Sequence, residues 1–310
     1  MDKNPLISII TVCYNSGKYL EECIQSVLTQ DYPNVEHIIQ DGGSKDKTLK
    51  ILKKYSAPRY KSIVKWISEP DNGQTDALNK ALIRSEGEII LVLNADDVLL
   101  PSASTWGENQ LKKHKKAAAV YGDEYIVDEK GKILILYEPV PFVYEKLVCV
   151  EIVPPAQAAF IRRRFFENVG FYFDNSLNNC ADFELWVRLG LKYPIVYAKG
   201  TISKFRWHQK SKTLNPDKIE DFVKEKRKVI SDLFLKKTTP EKIKNLKKRA
   251  SVGLDFWAAS MQIDSGAKYG AIKYLFKAFL KNPSKKKLRY YIDYWFSAVE
   301  KREQMYANAK

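Results

Sequence analysis

The chain opens with short apolar runs that alternate with amphipathic segments. Leu6–Tyr14 is a β-rich apolar run that ends in the turn signal Asn15-Ser16-Gly17. Residues 18–30 repeat their apolar positions at helical spacing, and Pro33 closes that segment. The same strand–helix step recurs, and it predicts strands over 35–41, 62–68 and 88–94 and helices over 46–55 and 75–84.

Alternation of this kind is typical of an α/β fold, in which helices flank a mostly parallel sheet. Right-handed crossovers bring the loops after Tyr14, Gln40, Ser68 and Leu93 to the carboxyl edge of the sheet. Open sheets of this class bind their ligands at that edge. Candidate chemistry is therefore expected in these four loops.

The pattern becomes mixed after Pro101. It predicts a helix to about residue 114, two strands around the turn at 129–131, an ordered segment over 156–162, a helix over 181–191 and a strand pair across Gly200. From about Pro216 the pattern is helical to the end, with lysine-rich faces. We therefore expect one domain over residues 1–215, with halves at about 1–100 and 101–215, and a helical C-terminal region over 216–310.

The two predicted parts of the chain also differ in net charge. Residues 1–210 hold 28 basic and 26 acidic side chains, whereas residues 211–310 hold 24 and 11, so most of the net charge of +15 lies in the second part.

Apolar runs such as Ile89–Leu93 fall far short of the roughly 20 residues that span a bilayer. With no signal-peptide pattern and no CxxC pair among four cysteines, a cytoplasmic protein without disulfides is expected.

Three carboxylate motifs carry candidate chemistry. Asp41 ends the second strand and precedes two glycines, where it can accept a hydrogen bond from the N3–H of a uracil-type base, or simply end the strand in a glycine turn. Asp96 and Asp97 follow the most apolar strand and offer oxygen ligands for Mg²⁺ or Mn²⁺, with Asp96 favoured; a helix N-cap is the alternative.

The third motif is the start of the predicted helix at 181. Asp182 and Glu184 stand two residues apart and so lie on different helix faces, where one can face a cleft as a general base while the other faces Arg188 or solvent. An acidic first turn of an ordinary helix is the alternative. His208, in the run after the last predicted strand, can be a further metal ligand, a phosphate contact or an exposed loop histidine.

Taken together, these loops resemble the family 2 glycosyltransferases, which are inverting enzymes with the GT-A fold. The resemblance covers about residues 6–210, and its motifs follow the family's order. The segments that carry it are Ser8-Ile-Ile-Thr-Val-Cys-Tyr-Asn15, Tyr19–Pro33, Gln40-Asp-Gly-Gly-Ser44, Ser68–Asn79, Leu93-Asn-Ala-Asp-Asp97 and Ala181-Asp-Phe-Glu-Leu-Trp186.

The resemblance implies a nucleotide-binding half over about 1–100 and an acceptor half over about 101–215. Asp182 is implied as the catalytic base, and the metal, Mg²⁺ or Mn²⁺, is assigned to Asp96, Asp97 and His208. Asn94 stands where many relatives carry the first acid of the metal motif, and Ala181 stands where an acid often precedes the base. The implied nucleotide contacts are Thr11, Tyr14, Asn15, Asp41, Asp71, Asn79, Ala95 and Asp96.

The expected reaction moves a sugar from a nucleotide-diphosphate sugar, with UDP favoured through Asp41, to an acceptor hydroxyl in surface polysaccharide or glycan assembly. A sugar nucleotidyltransferase is one alternative, although residues 14–17 are short for its phosphate loop. A non-catalytic nucleic-acid binder is another, and it is disfavoured because the excess charge avoids the α/β part. Lysines and apolar residues over 265–300 predict peripheral attachment to an anionic membrane, at its inner face; the alternative is that the apolar residues pack on the rest of the protein and the lysines face solvent.

Overall fold

The computed structural model describes residues 4–208 and 211–307. The chain divides into two compact units. The first comprises the chain up to Ile126, Leu136–Phe142 and Pro154–Arg206; the second comprises Val127–Ile135, Val143–Val153 and the chain from Trp207 onward. The units change over at 206/207 rather than at the expected 215/216, and the second unit also includes two segments from the middle of the chain.

The strands follow the predicted apolar runs closely in the first hundred residues. In chain order they are β1 (Ile7–Cys13), β2 (Val35–Asp41), β3 (Val64–Ser68), β4 (Ile89–Val92), β5 (Val98–Leu99), β6 (Ala119–Val127), β7 (Ile133–Tyr137), β8 (Ala159–Arg162) and β9 (Ile195–Arg206).

The helices alternate with these strands and then continue alone to the end of the chain. They are α1 (Leu20–Leu28), α2 (Thr48–Lys54), α3 (Gln74–Arg84), α4 (Ala103–Lys113), α5 (Tyr144–Val148), α6 (Arg163–Glu167), α7 (Ala181–Gly190), α8 (Ile219–Leu235), α9 (Glu241–Lys244), α10 (Lys247–Asp264), α11 (Lys268–Lys281) and α12 (Lys285–Ala307). The predicted helical C-terminal region is therefore confirmed.

The sheet has the order β3-β2-β1-β4-β8-β6-β9-β5, and β7 pairs with β6 outside this order. Strands β3, β2, β1 and β4 run parallel, as predicted. Beyond them the sheet is mixed, because β8 is antiparallel to both β4 and β6, and β5 is antiparallel to β9. The expected α/β fold with flanking helices is confirmed.

Both faces of the parallel strands β1, β2 and β4 are buried, which explains the largely apolar sequences of β1 and β4, whereas β3 at the sheet edge is partly exposed. Ile7 and Ile9 of β1 share one core cluster with Cys23 and Val27 of α1. All seven residues of β2 are buried. Successive side chains of a strand point to opposite faces, so a run without polar alternation requires cover on both sides.

The predicted strand pair across Gly200 is wrong, because β9 runs unbroken from Ile195 to Arg206. The Gly200 N–H donates to a carboxylate oxygen of Asp123 at 2.9 Å. A Cβ at Gly200 would overlap the indole of Trp106. The glycine therefore lets Trp106 pack closely on the strand and does not form a turn.

In the second unit, aromatic side chains join α10 to α12. The Phe256 ring on α10 lies 4.3 Å from the Tyr294 ring and 5.8 Å from the Tyr291 ring on α12, between ring centroids. Helix α11 packs on α10, where Lys281 forms an ion pair with the buried carboxylate of Asp255. Among the helices of the described ranges, none combines the length and the apolar character that crossing a bilayer requires.

Candidate functional site

The carboxyl ends of the parallel strands meet at one edge, as the sequence predicted. The Gly42 N–H donates to the carbonyl of Cys13 at 2.9 Å, which joins the loop after β2 to the end of β1. The Glu69 N–H donates to the carbonyl of Asp41 at 3.0 Å, which joins the loop after β3 to the end of β2. Because β4 is parallel to β1, its own loop lies at the same edge.

Asp41 organises the loop after β2. Its Oδ2 accepts hydrogen bonds from the backbone N–H groups of Gly43 and Ser44, at 3.2 and 3.0 Å, and from the Ser68 hydroxyl at 2.6 Å. Its Oδ1 accepts from the Ser44 hydroxyl, and the side chain is fully buried. These bonds give the carboxylate a structural role in holding the turn. Its contact with a uracil-type base stays a prediction.

Asn15 joins the first loop to the second. It lies in the left-handed region with φ of 52°, its N–H donates to the Ser44 hydroxyl at 2.7 Å, and its Oδ1 accepts from the Lys45 N–H at 2.9 Å. Tyr14 beside it is 61% exposed. The first loop therefore has a fixed backbone and presents one aromatic ring to solvent.

Two other predicted nucleotide contacts are buried. Thr11 is fully enclosed in β1, where its hydroxyl lies 2.9 Å from Nε2 of His37. Ala95 is 6% exposed and packs in the cluster that includes Leu20 and Ile24 of α1. These side chains therefore support the loops from within, and their nucleotide contacts stay predictions.

The third loop lies against the second at Gly42. A Cβ on Gly42 would overlap the carboxylate of Asp71 in its present position, so the glycine leaves room for this close approach. The other carboxylate oxygen of Asp71 accepts from the Gly73 N–H at 2.9 Å, just before α3 begins. Asp71 is thereby held at the strand-end edge, beside the turn that Asp41 organises.

Helix α3 in turn holds the segment that leads into α7. The Thr75 hydroxyl donates to the carbonyl of Leu177. The Asn79 side chain donates to the carbonyl of Phe173 at 2.8 Å and accepts from its N–H at 2.7 Å. The start of α7 is therefore tied to the third loop. The Asn79 amide makes bonds within the protein, and its contact with a nucleotide stays a prediction.

The two acidic residues of α7 have different surroundings, as the sequence predicted. Glu184 binds the Arg188 guanidinium through both of its oxygens, from Nε at 2.9 Å and from Nη2 at 2.9 Å. Arg188 also donates to the carbonyls of Val169 and Tyr172. Asp182 is half-buried in the first turn, and its carboxylate makes no hydrogen bond or ion pair within residues 4–208 and 211–307. The role of Asp182 as a general base stays a prediction.

The loop after β4 folds Asp97 inward. Its Oδ2 accepts from the Asn94 side chain at 2.8 Å, its Oδ1 accepts from the Arg206 N–H at 2.9 Å, and the residue is 1% exposed. Burial, and next the neighbouring charge of Asp96, raise the pKa of Asp97 well above its usual value. Asp96 is half-buried at the same turn. Metal ligation by Asp97 stays a prediction, and its bonds give it a structural role.

Arg206 supports this loop and was missed from the sequence. Its Nε donates to the carbonyl of Asp96 at 2.9 Å, and its Nη2 pairs with Glu22 at 2.6 Å. The guanidinium lies 4.7 Å from the ring centroid of Tyr19, and the side chain is 2% exposed. The only available signal was a single arginine at the end of a predicted strand, which does not reveal such contacts.

The residues present fit a divalent metal that is shared with a substrate. Across the described part of the chain, no group of three or more His, Cys, Asp or Glu side chains is arranged to hold a metal by itself. Mg²⁺ is commonly held by one or two carboxylates together with substrate phosphates, and Asp96 suits that role. His208 lies in the second unit, just after β9, and its metal contact stays a prediction.

A match to the profile of a known protein family shows to which family the chain belongs. The profile described as Glycosyl transferase family 2 matches residues 8–170, more than half of the chain. The chain belongs to glycosyltransferase family 2. The matched range begins in β1 and ends before α7, so it contains the four strand-end loops. Membership of this family decides against the sugar nucleotidyltransferase alternative.

Curated relatives of this family 2 chain are similar over the same region. An uncharacterized glycosyltransferase of Rickettsia felis is 28% identical over 213 residues, which covers 66% of this chain and 34% of that protein. The chondroitin synthase of Escherichia coli is 29% identical over 187 residues, which covers 60% of this chain and 26% of that protein. The match thus spans about a third or less of these two relatives.

Solved structures share the fold of this family 2 chain. Staphylococcus aureus TarS 1–349 in complex with UDP-GlcNAc has a TM-score of 0.63 at 20% identity, covering 98% of this chain and 92% of that one. The mannosyltransferase PcManGT from Pyrobaculum calidifontis, in complex with GDP-Man and Mn²⁺, has a TM-score of 0.65 at 15% identity, covering 99% and 87%. The GT-A fold expected from the sequence is therefore confirmed.

Proposed function

We propose that this chain is an inverting glycosyltransferase that transfers a sugar from a UDP-sugar to a hydroxyl group of a glycan. The observation that carries the proposal is the contrast in α7 between Glu184, which is bound to Arg188, and Asp182, which has no such partner in the described residues. Asp182 also lies in the first turn of α7, and Thr75 ties the segment before that helix to the third loop. A carboxylate base is thus fixed beside a nucleotide-binding edge.

The donor binds along the edge formed by the loops after β1, β2 and β3. The exposed ring of Tyr14 provides an apolar face for the base, and the fixed backbone around Asn15 and Asp71 shapes the pocket for the nucleoside. We favour UDP as the donor nucleotide, with its base at the second loop, which Asp41 organises. The UDP-GlcNAc complex of TarS, which has the same fold, supports this choice.

The diphosphate lies at the loop after β4, where Asp96 would hold Mg²⁺ or Mn²⁺. When bound, the metal neutralises the charge that develops on the leaving diphosphate. Arg206 fixes the backbone of Asp96 and thereby the direction of its side chain. The Mn²⁺ complex of PcManGT, another protein with this fold, supports a divalent metal.

Asp182 acts as the general base. Its carboxylate takes the proton of the acceptor hydroxyl while that oxygen attacks the anomeric carbon from the face opposite the diphosphate. The attack forms the new glycosidic bond, breaks the bond to the diphosphate oxygen and inverts the anomeric configuration. A β-linked product from an α-linked donor follows.

The acceptor is proposed to be a growing polysaccharide or another glycan, at the inner face of a membrane. Support comes from the similarity of residues in this chain to the chondroitin synthase of Escherichia coli and the hyaluronan synthase of Pasteurella multocida, which is 29% identical over 192 residues. The helical second unit carries most of the positive charge, which suits an anionic surface or acceptor.

A panel of nucleotide sugars tests the proposal. Hydrolysis and transfer to glycan acceptors should be measured with UDP-, GDP- and CMP-linked sugars, with Mn²⁺ or with a chelator, and the anomeric configuration of the product should be read by NMR. We expect UDP-sugar turnover that needs the metal and gives the inverted anomer. A retained anomer, metal-independent turnover or preference for another base would contradict the corresponding part of the proposal.

A further inference from the structure

Helix α11 has two apolar faces. One face carries Ala271, Tyr274, Leu275 and Ala278, which are at most 7% exposed where the helix packs. The other face carries four side chains that are exposed at 74, 50, 58 and 59%, and we call it the outer stripe: Tyr269, Ile272, Phe276 and Leu280. At about 100° per residue these four span an arc of roughly 80°, on the side opposite the buried face.

The outer stripe differs from the scattered apolar residues that every protein surface carries. An ordinary surface helix has one apolar stripe that faces the core and a polar face toward solvent. In α11 the expected solvent face is itself apolar over almost three turns, from Tyr269 to Leu280. A contiguous exposed apolar surface of this kind marks an interaction site.

Positive charge accompanies the outer stripe. Residues 265–292 contain eight basic and no acidic side chains: Lys268, Lys273, Lys277, Lys281, Lys285, Lys286, Lys287 and Arg289. On the helical wheel Lys273 and Lys277 flank one edge of the stripe. Lys281 and Lys268 are engaged in ion pairs with Asp255 and Glu303, so they contribute less. Lys273 also forms an ion pair, at 4.0 Å, with the carboxylate of Glu220.

Helix α12 also combines lysines with exposed apolar side chains. It begins with Lys285, Lys286 and Lys287, and its exposed apolar side chains then follow at four-residue spacing: Leu288, Ile292 and Phe296, exposed at 45, 47 and 63%. Their opposite neighbours Tyr291 and Tyr294 pack on Phe256. Two successive helices therefore bury one apolar face and expose another, with lysines at the junction between them.

We propose that the outer stripe, with the lysines of 273–287, is a docking surface for an anionic lipid bilayer. Amphipathic helices with apolar side chains beside lysines lie in the membrane interface, where the rings enter the acyl boundary and the ammonium groups meet phosphate headgroups. A protein partner suits this surface less, because lysine is depleted at the core of protein interfaces. The proposal rests on the second unit alone and is independent of the catalytic assignment.

Sedimentation of the full chain with vesicles tests the docking surface. Phosphatidylcholine vesicles that contain phosphatidylglycerol should bind the protein, and pure phosphatidylcholine vesicles should bind it much less. Binding should weaken as salt rises, since exposed charges are screened. No binding by the full chain, or equal binding to both kinds of vesicle, would overturn the proposal.

Two variants locate the surface. Replacing Ile272, Phe276 and Leu280 together by serine should lower vesicle affinity at least about tenfold, because each loses exposed apolar area that the bilayer would cover. Leu235→Ser is the matched control, since Leu235 is 80% exposed in the same unit but lies outside the stripe. It should bind like the wild type. Equal affinity of the triple variant and this control would overturn the proposal.

Lysine variants give a second measurement that does not depend on the apolar side chains. Lys285→Gln, Lys286→Gln and Lys287→Gln should each lower affinity for anionic vesicles about fivefold. Lys236→Gln with Lys237→Gln, two exposed lysines after α8, is the matched control and should change it less. A concentration-dependent oligomer that the triple serine variant abolishes, in a chain that binds no vesicle, would instead assign the surface to a second copy and reject the lipid.

Discussion

Arg206 donates a hydrogen bond from its Nε to the main-chain carbonyl of Asp96 at 2.9 Å. The same guanidinium pairs with Glu22, and the Arg206 N–H donates to Asp97, so Arg206 bonds to both acidic residues of the turn after β4. The proposed metal ligand therefore depends on the last residue of β9, which is more than a hundred positions away in sequence.

Replacing Arg206 by lysine should weaken metal-dependent UDP binding about tenfold or more, because the Asp96 turn loses its anchor and small misplacements of a ligand are costly. Arg206 is a positioning residue here, and the loss of its buried bonds should also lower the free energy of unfolding by about 1–3 kcal/mol. Calorimetry of UDP binding with Mn²⁺, together with urea unfolding, measures both effects.

Glu22→Gln is the matched control for Arg206. It removes the charge partner of the guanidinium at a half-exposed site and leaves the bond to Asp96 in place. UDP affinity should stay close to that of the wild type. If both variants bind UDP and Mn²⁺ as the wild type does, the turn does not depend on Arg206.

The variants Asp96→Ala and Asp97→Ala should distinguish metal ligation from structural support of the turn after β4. Asp96→Ala should abolish the stimulation of UDP binding by Mn²⁺ while the fold persists, because it removes the proposed metal ligand. Asp97→Ala should retain that stimulation and instead lower the free energy of unfolding by about 1–3 kcal/mol, since it leaves the Arg206 N–H and the Asn94 amide without their acceptor. Undiminished stimulation by Mn²⁺ in Asp96→Ala would refute the assignment.

The local parts of the fold could be predicted from the sequence, and the non-local parts could not. The apolar run of β1 and the amphipathic pattern of α1 are properties of neighbouring residues, and parallel pairing placed their loops at one edge. The order of β8, β6 and β9 depends on distant pairings that no local pattern records. Gly200 was interpreted as a turn because its close contact with Trp106 is invisible in the sequence.

In the candidate site, too, local features could be predicted from the sequence and non-local ones could not. The sequence located the carboxylates at the strand ends and predicted that Glu184 and Asp182 have different surroundings. It could not show that Asp41 and Asp97 turn inward, because a buried and an exposed carboxylate look alike in a sequence. Arg206 was missed for the same reason, since only its position in space makes it important.

Asp182→Asn should lower turnover by about two or more orders of magnitude and leave UDP affinity unchanged, because it removes a general base while it preserves the shape of the side chain. Steady-state kinetics with calorimetry of UDP separates the two effects. Glu184→Gln is the matched control: it should change turnover little and lower stability, because Arg188 loses its charged partner. A reversed order of severity would move the base to Glu184.

Two buried groups of the first unit should give stability opposite dependences on pH. Burial raises the pKa of Glu124 from its ordinary 4.5 to about 7, and burial lowers the pKa of His37 from 6.5 to about 3. Between pH 4.5 and 7 the folded protein keeps a proton on Glu124 that the unfolded chain has released. Between pH 3 and 6.5 it lacks a proton on His37 that the unfolded chain has taken up.

Neutral Glu124 therefore contributes fully to the free energy of unfolding below pH 4.5, and this contribution is lost as the pH rises through 7. Neutral His37 contributes fully above pH 6.5, and its contribution is lost as the pH falls through 3. Urea unfolding of the wild type, Glu124→Gln and His37→Gln over a pH series measures both. The wild-type stability minus that of Glu124→Gln should fall with rising pH, by up to about 1.4 kcal/mol per pH unit. The difference for His37→Gln should rise with a similar slope. The pH dependence of groups that are present in both proteins cancels in each difference. Asp264 is one such group, because burial raises its pKa to about 6. Two flat differences, or two of the same sign, would show that these groups do not control the pH dependence.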